Sequence, residues 1–372
     1  MRQLAPVFAC LGAFALASSV ASCAGESSEI AIGRLWDEYL RSKRGQFAAN
    51  AGTPSDLWTG ADQAKWPMYD LAGFYLPDGA VPEVVRIAPV EPAVDDTYEV
   101  VTRFRARGDS ARDSTTRPVL TMTVLARRVS GRWVLANALP HRTAAWFTGT
   151  SGRITFRVAP RLKFDSAKAF RAATFVDSLA AAFGVPAPPH IEYYVTESVD
   201  QALGILGVEV PERYGAAGGF SKPVNGQVFS GIPQLGENYR HELAHVVLLP
   251  VLRDAATSLL ASEGVPTWLG GTSGRDFRAS VRHLEAAMRA QPRLTLDSII
   301  DGTSVASEIR NAAGGVLAQM LDEAGGAEAV REFLRAGWRP AAIRATLERL
   351  LHRPWSTIVS DWRISVRRPA AA

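Results

Sequence analysis

The stretch NYRHELAHVVLLP, residues 238 to 250, constrains the fold more than any other part of the chain. Leu243, Ala244, Val246, Val247, Leu248 and Leu249 make it an almost wholly apolar helix, which is stable only when other chain surrounds it. The same helix carries His241, Glu242 and His245, and polar groups buried without partners are costly. Positions i and i+4 lie about 40° apart around a helix axis, so the two imidazoles can face one point. Two histidines from one rigid turn, with a carboxylate beside them, suit a divalent metal and a base that takes a proton from water. A catalytic site of this kind needs a third protein ligand and one open position.

About 18 residues after His245, the segment SEGVPTWLGG supplies Glu263, followed by Gly264 and Trp268. The pair HELAH and SEGVPTWLGG resembles the gluzincin, peptidase-MA-like superfamily of thermolysin-like and aminopeptidase-type zinc enzymes. A metzincin would instead carry Gly at 248 and His at 251, where this chain has Leu248 and Val251. The resemblance covers residues 152 to 368 in architecture, although only about 30 residues carry specific motif. It implies Zn²⁺ held by His241, His245 and Glu263, Glu242 as general base, and a peptide or protein substrate. It also sets Glu263 at the start of a second helix, with Pro266 tolerated in that helix's first turn. Family enzymes commonly steady the oxyanion with a Tyr or His from a later helix, yet no tyrosine follows Tyr239. His283 and Tyr239 itself are the two substitutes, while a lone histidine on an amphipathic helix is more often a surface or core residue. The strand QVFSGI is expected along the cleft as an edge to which an extended peptide can add.

The other end of the chain reads as an address. Arg2 and the apolar run ending in small residues make residues 1–22 an export signal. Val20-Ala21-Ser22-Cys23 resembles the bacterial lipoprotein box, in which the cysteine becomes the lipidated N-terminus; the other reading is an ordinary signal cut after Ala21 or Ser22. Cys10 leaves with the signal, so no disulfide is expected in the mature protein. No apolar run of 18 or more residues follows, which makes the lipid the sole expected contact with a membrane. The bulk of the protein then lies on the periplasmic or extracellular face, with the outer membrane favoured because Ala24 gives no aspartate-type retention signal.

Between these ends the hydrophobic period divides the chain. Residues 23–29 read as a tether, and IAIGRLWDEYLRSKRGQF as an amphipathic helix. TYEVVTRFRARG, PVLTMTVLARRV and RWVLANALP alternate as neighbouring antiparallel strands, the last two joined by Ser130-Gly131. Helix then curved sheet over 30–150 resembles the cone-shaped α+β fold of nuclear transport factor 2 and SnoaL-like proteins. From 151 to 372 a small sheet followed by a run of helices reads as a second α+β domain, the gluzincin-like one. KWPMYDLAGFYLP is expected to pack, and tryptophans such as Trp133, Trp146, Trp338, Trp355 and Trp362 to fill cores and interfaces. Gly314-Gly315 opens an apolar helix and is expected to permit close packing below the site.

The 372 residues are 47% hydrophobic and 21% charged, enough for two cores. The formal charge of +4 is scattered arginine, which argues against a nucleic-acid partner. Two further readings stand beside this one: a catalytically silent binding lipoprotein, in which the helix pair persists as scaffold and the cone does the work, supported by the missing late tyrosine, and a zinc amidase that uses the same residues on cell-wall material. Oligomeric state leaves no mark on the sequence.

Overall fold

The structure is a computed structural model that describes residues 27–42, 56–60, 81–91, 94, 96–105, 118–209, 218–252, 257–302 and 305–367. The export signal, Cys23 and KWPMYDLAGFYLP lie outside the described residues. The architecture is mixed α+β, and among the described residues no helix is long and apolar enough to cross a membrane.

Helix α1 (Ser28–Ser42) buries Ile32, Trp36, Tyr39 and Leu40, one stripe at helical spacing. It is fixed to the first sheet by a hydrogen bond of 2.7 Å from Trp36 Nε1 to Thr102 Oγ1. That sheet runs β1 (Val81–Pro89), β2 (Thr97–Arg105), β3 (Pro118–Val129) and β4 (Arg132–Ala136), all antiparallel neighbours in chain order. Ser130 and Gly131 join β3 to β4 with φ of 50° and 80°. Two positive values in a two-residue loop match the twist of the flanking strands, as the Ser-Gly pair suggested.

After the short helix α2 (Ala138–Arg142), the second sheet begins with β5 (Phe147–Ser151) and β6 (Ile154–Val158). Helix α3 (Ser166–Ala182) crosses over to β7 (Ile191–Val195), which lies parallel to β6. Asp165 caps α3 by accepting from Lys168 N at 2.9 Å, and Gly184 ends it with φ of 58°. Helix α4 (Val199–Ile205) and strand β8 (Val208–Glu209) then return to the first sheet, where β8 pairs with Thr121 and Met122 of β3. The chain comes back to the second sheet as β9 (Gly219–Lys222) and β10 (Gln227–Ser230), giving the order β5-β6-β7-β10-β9.

Two expectations change here. The second sheet starts at Phe147, before the expected boundary at 151, and residues 208–209 pair with the first sheet. Ala202, Leu203, Ile205 and Val208 share one buried cluster with Trp36, Phe104 and Leu120, so long-range burial recruits a segment that local pattern assigns elsewhere. The strand at QVFSGI is also not an edge. Gln227–Ser230 are wholly buried between β7 and β9, and the edge falls to Gly219–Lys222.

The remainder is helical: α5 (Arg240–Leu252), α6 (Leu259–Gly270), α7 (Phe277–Ala290), α8 (Leu296–Ile300), α9 (Ser307–Leu334), α10 (Pro340–Leu351) and α11 (Trp355–Arg367). One core joins α3, the inner strands and these helices around the apolar body of α5. Trp36, Trp58 and Trp362 are buried, but Trp338 is 62% exposed and fills no core.

Candidate metal centre

Helix α5 begins where a buried phenol holds it. Tyr193, on the inner strand β7, accepts a hydrogen bond from Tyr239 N at 2.9 Å and donates to the Gly236 carbonyl at 2.8 Å. Burial raises the Tyr193 pKa well above the usual phenol value, so it stays protonated and keeps both bonds. From that fixed start, His241 and Glu242 enter the core, and His245 follows one turn later.

Helix α6 carries the third group. It is capped by Ser258, whose hydroxyl accepts from Ala261 N at 3.2 Å, and so begins a turn before Glu263. Pro266 therefore stands in the helix interior and not in the first turn, where its ring removes the bond to the Ser262 carbonyl. The placement of α6 depends on three glycines. A Cβ on Gly264 would lie 2.5 Å from the Gly314 backbone, and one on Gly314 would lie 1.9 Å from the Leu260 carbonyl oxygen. Backbone-to-backbone contact at this crossing is what Gly314-Gly315 allow, and it sets the depth of Glu263.

The three side chains meet. His241 Nε2 is 3.3 Å from His245 Nε2 and 3.3 Å from Glu263 Oε2, and His245 Nε2 is 3.6 Å from Glu263 Oε1. All of these candidate ligand atoms lie within 4.8 Å of one another. Zinc bonds to nitrogen and oxygen of about 2.0–2.1 Å at tetrahedral angles separate neighbouring ligand atoms by about 3.3 Å. The two imidazole nitrogens and the carboxylate are thus spaced about as the ligands of one zinc ion are. His241 Nδ1 faces the Gly271 carbonyl oxygen at 2.7 Å. A carbonyl only accepts, so Nδ1 carries the proton and Nε2 offers its lone pair to the shared point.

The charges are strongly coupled. Burial works to lower the pKa of His245, but the Glu263 carboxylate overrides it and holds the imidazole up at about 9. Burial likewise opposes the charge on Glu263, and the two imidazoles overcome it, keeping the carboxyl well below the usual range. A bound cation would take over the role of the His245 proton.

These groups face a cavity of about 590 Å³ that Glu242 and Tyr239 also line. The ring of Tyr239 lies 6.0 Å from that of His241. Burial first, and the charge of Glu242 second, raise the Tyr239 pKa well above its ordinary value, so its hydroxyl remains a donor. His283 does not line the cavity. It is 46% exposed on α7, with Nε2 3.6 Å from Glu308, because the amphipathic face of that helix turns it outward. The edge strand β9 lines the same cavity with Gly219, Phe220 and Ser221, and among the described residues it pairs only with β10. Sequence reading missed Gly271, whose carbonyl orients His241, and the edge role of β9. The Gly-Gly pairs at 270–271 and 218–219 are the signals that mark both.

No known family of sequences matches the chain, and neither does any curated protein. Structural neighbours include M1 zinc metallopeptidases. That of Deinococcus radiodurans aligns over 78% of this chain and 60% of its own, with 14% identity and a TM-score of 0.33. A variant of it bound to a Tyr-Ser-Ala substrate aligns over 76% and 60%, with 14% identity and a TM-score of 0.35. The chain spans about 60% of the length of these neighbours. Likeness this faint assigns neither a family nor a reaction.

Proposed function

We propose that the protein is a zinc-dependent hydrolase of peptide bonds, with His241, His245 and Glu263 as metal ligands and Glu242 as general base. The observation that carries this reading is the convergence of the two imidazole Nε2 atoms, 3.3 Å apart, on the Glu263 carboxylate, whose Oε2 lies 3.3 Å from His241 and whose Oε1 lies 3.6 Å from His245, with the His241 tautomer set by Gly271. Bound there, zinc supplies a Lewis acid that polarises a carbonyl and brings the pKa of water from 15.7 to about 7. Glu242, next to His241 and facing the same cavity, accepts the proton of the attacking water and passes it to the leaving amine. Tyr239 keeps its proton and donates a hydrogen bond to the oxygen on which charge develops. His283, which does not line the cavity, is left out of this assignment.

A peptide fits the site because the backbone edge of β9 runs along the cavity wall. An extended chain can add there as one more strand and lay a carbonyl across the ligand cluster. The export signal and Cys23 support a lipid-anchored protein on the periplasmic or extracellular face. Helix α1 over the first sheet supports the cone reading of the N-terminal part.

Hydrolysis of a quenched peptide mixture by the zinc-loaded protein tests the proposal. Glu242→Gln is expected to lower the rate at least about 10²-fold while retaining zinc. Equal activity in that variant, or no hydrolysis by the parent at full zinc occupancy, overturns it.

A further inference from the structure

The same cavity has a wall that hydrolysis does not employ, at the start of α9, where Ser307, Glu308, Arg310 and Asn311 line it. No side chain caps this end, since the N-cap is Ala306. The Arg310 guanidinium has its Nε buried without an acceptor, and no carboxylate among the described residues pairs with it. Glu308 is the obvious partner by position, but Arg275 Nη1 already donates to it at 2.6 Å and His283 Nε2 sits 3.6 Å away. Asn311 is only 7% exposed and its Oδ1 has no donor. The wall stands beside the metal ligands, because Gly314, one turn after Asn311, abuts Gly264, the residue following Glu263.

Arg310 is partly exposed on the cavity wall with no acceptor at Nε, and Asn311 is a buried amide whose Oδ1 has no donor; a guanidinium so placed suits a ligand that accepts hydrogen bonds. The planar fork of arginine fits a carboxylate through two parallel bonds, and the Asn311 amide can turn its NH₂ toward the same group. With Glu308 neutralised by Arg275, the charge left on this wall is that of Arg310. We infer that Arg310, assisted by Asn311, binds a carboxylate of the substrate, either the chain's own C-terminus or an Asp or Glu side chain. The inference rests on the peptide reading of the site.

Binding, without turnover, provides the test. The zinc-loaded Glu242→Gln protein is titrated calorimetrically with three acetylated tripeptides of otherwise equal sequence: a neutral C-terminal amide, the free acid, and an amide bearing a Glu side chain. At least one carboxylate peptide is expected to bind about tenfold or more tightly than the neutral amide. A free-acid preference identifies the chain terminus, and a Glu preference identifies the side chain. Arg310→Met added to that protein should reduce the preference to less than about twofold, and Arg310→Lys should keep part of it. Equal binding of the three peptides, no binding of any, or a preference that survives Arg310→Met overturns the inference. A protein that prefers carboxylates yet hydrolyses nothing refutes only the hydrolase reading, and an active hydrolase without the preference refutes only this one.

Discussion

The Nδ1 proton of His241 is given to the carbonyl oxygen of Gly271 at 2.7 Å, and this bond decides which nitrogen faces Glu263. Gly271 holds φ of 76°, and a Cβ there would lie 1.9 Å from the Arg275 carbonyl oxygen. Gly271→Ala should therefore displace the carbonyl and cost about 10–100-fold in zinc affinity, measured by chelator competition. Unchanged affinity would show that the tautomer is set elsewhere.

Without metal, His245 and Glu263 form a coupled pair whose pH response has a definite sign. The folded pKa of His245, about 9, exceeds its unfolded value near 6.5. Its contribution to stability is complete below about 6.5 and is lost as pH rises through 9. The urea midpoint of the zinc-free protein should fall between pH 6.5 and 9.5, and fall less in His245→Ala. Zinc uptake at pH 7 should also release about one proton, seen as a buffer-dependent binding enthalpy.

The helix crossing under Glu263 predicts opposite effects for two glycine substitutions. Gly314→Ala forces a Cβ against the Leu260 carbonyl and should destabilise by about 1–3 kcal/mol while weakening zinc binding. Gly204→Ala, within α4 with nothing within 4 Å, should be neutral or stabilise by up to about 1 kcal/mol. Thermal unfolding of the two variants distinguishes a contact requirement from general helix propensity.

The start of α5 supplies another test. Tyr193→Phe removes the hydroxyl shared by Tyr239 N and the Gly236 carbonyl, leaving both buried groups unsatisfied. A loss of about 1–3 kcal/mol by denaturant titration is expected. An unchanged midpoint would mean that the helix start is held by its apolar contacts alone.

What was legible in the sequence was mostly local. His241, Glu242 and His245 sit on one turn of one helix, so spacing groups them, and the resemblance to the gluzincin pattern adds Glu263. Ser130-Gly131 and Gly184 are likewise short-range signals, each met by the backbone angle it requires. The misses are long-range. The β8 pairing with β3 brings residues 208–209 to the first sheet, and no local pattern marks it. The edge role of Gly219–Lys222 depends on β10 being enclosed by β7, a parallel neighbour from 35 residues earlier. Pro266 was misplaced because Ser258, a turn before Glu263, is the residue that caps α6. His283 has the right residue type, but it is 46% exposed on its helix and is not among the side chains that line the cavity.

The most direct measurement is the zinc content per folded chain, by mass spectrometry of the purified protein and two variants. The account predicts one tightly held zinc in the parent, one in Glu242→Gln, whose carboxylate is the base and not a ligand, and none retained by Glu263→Ala after dialysis. A parent that folds and binds no zinc, or a Glu263→Ala protein that keeps it, would contradict the metal centre described above.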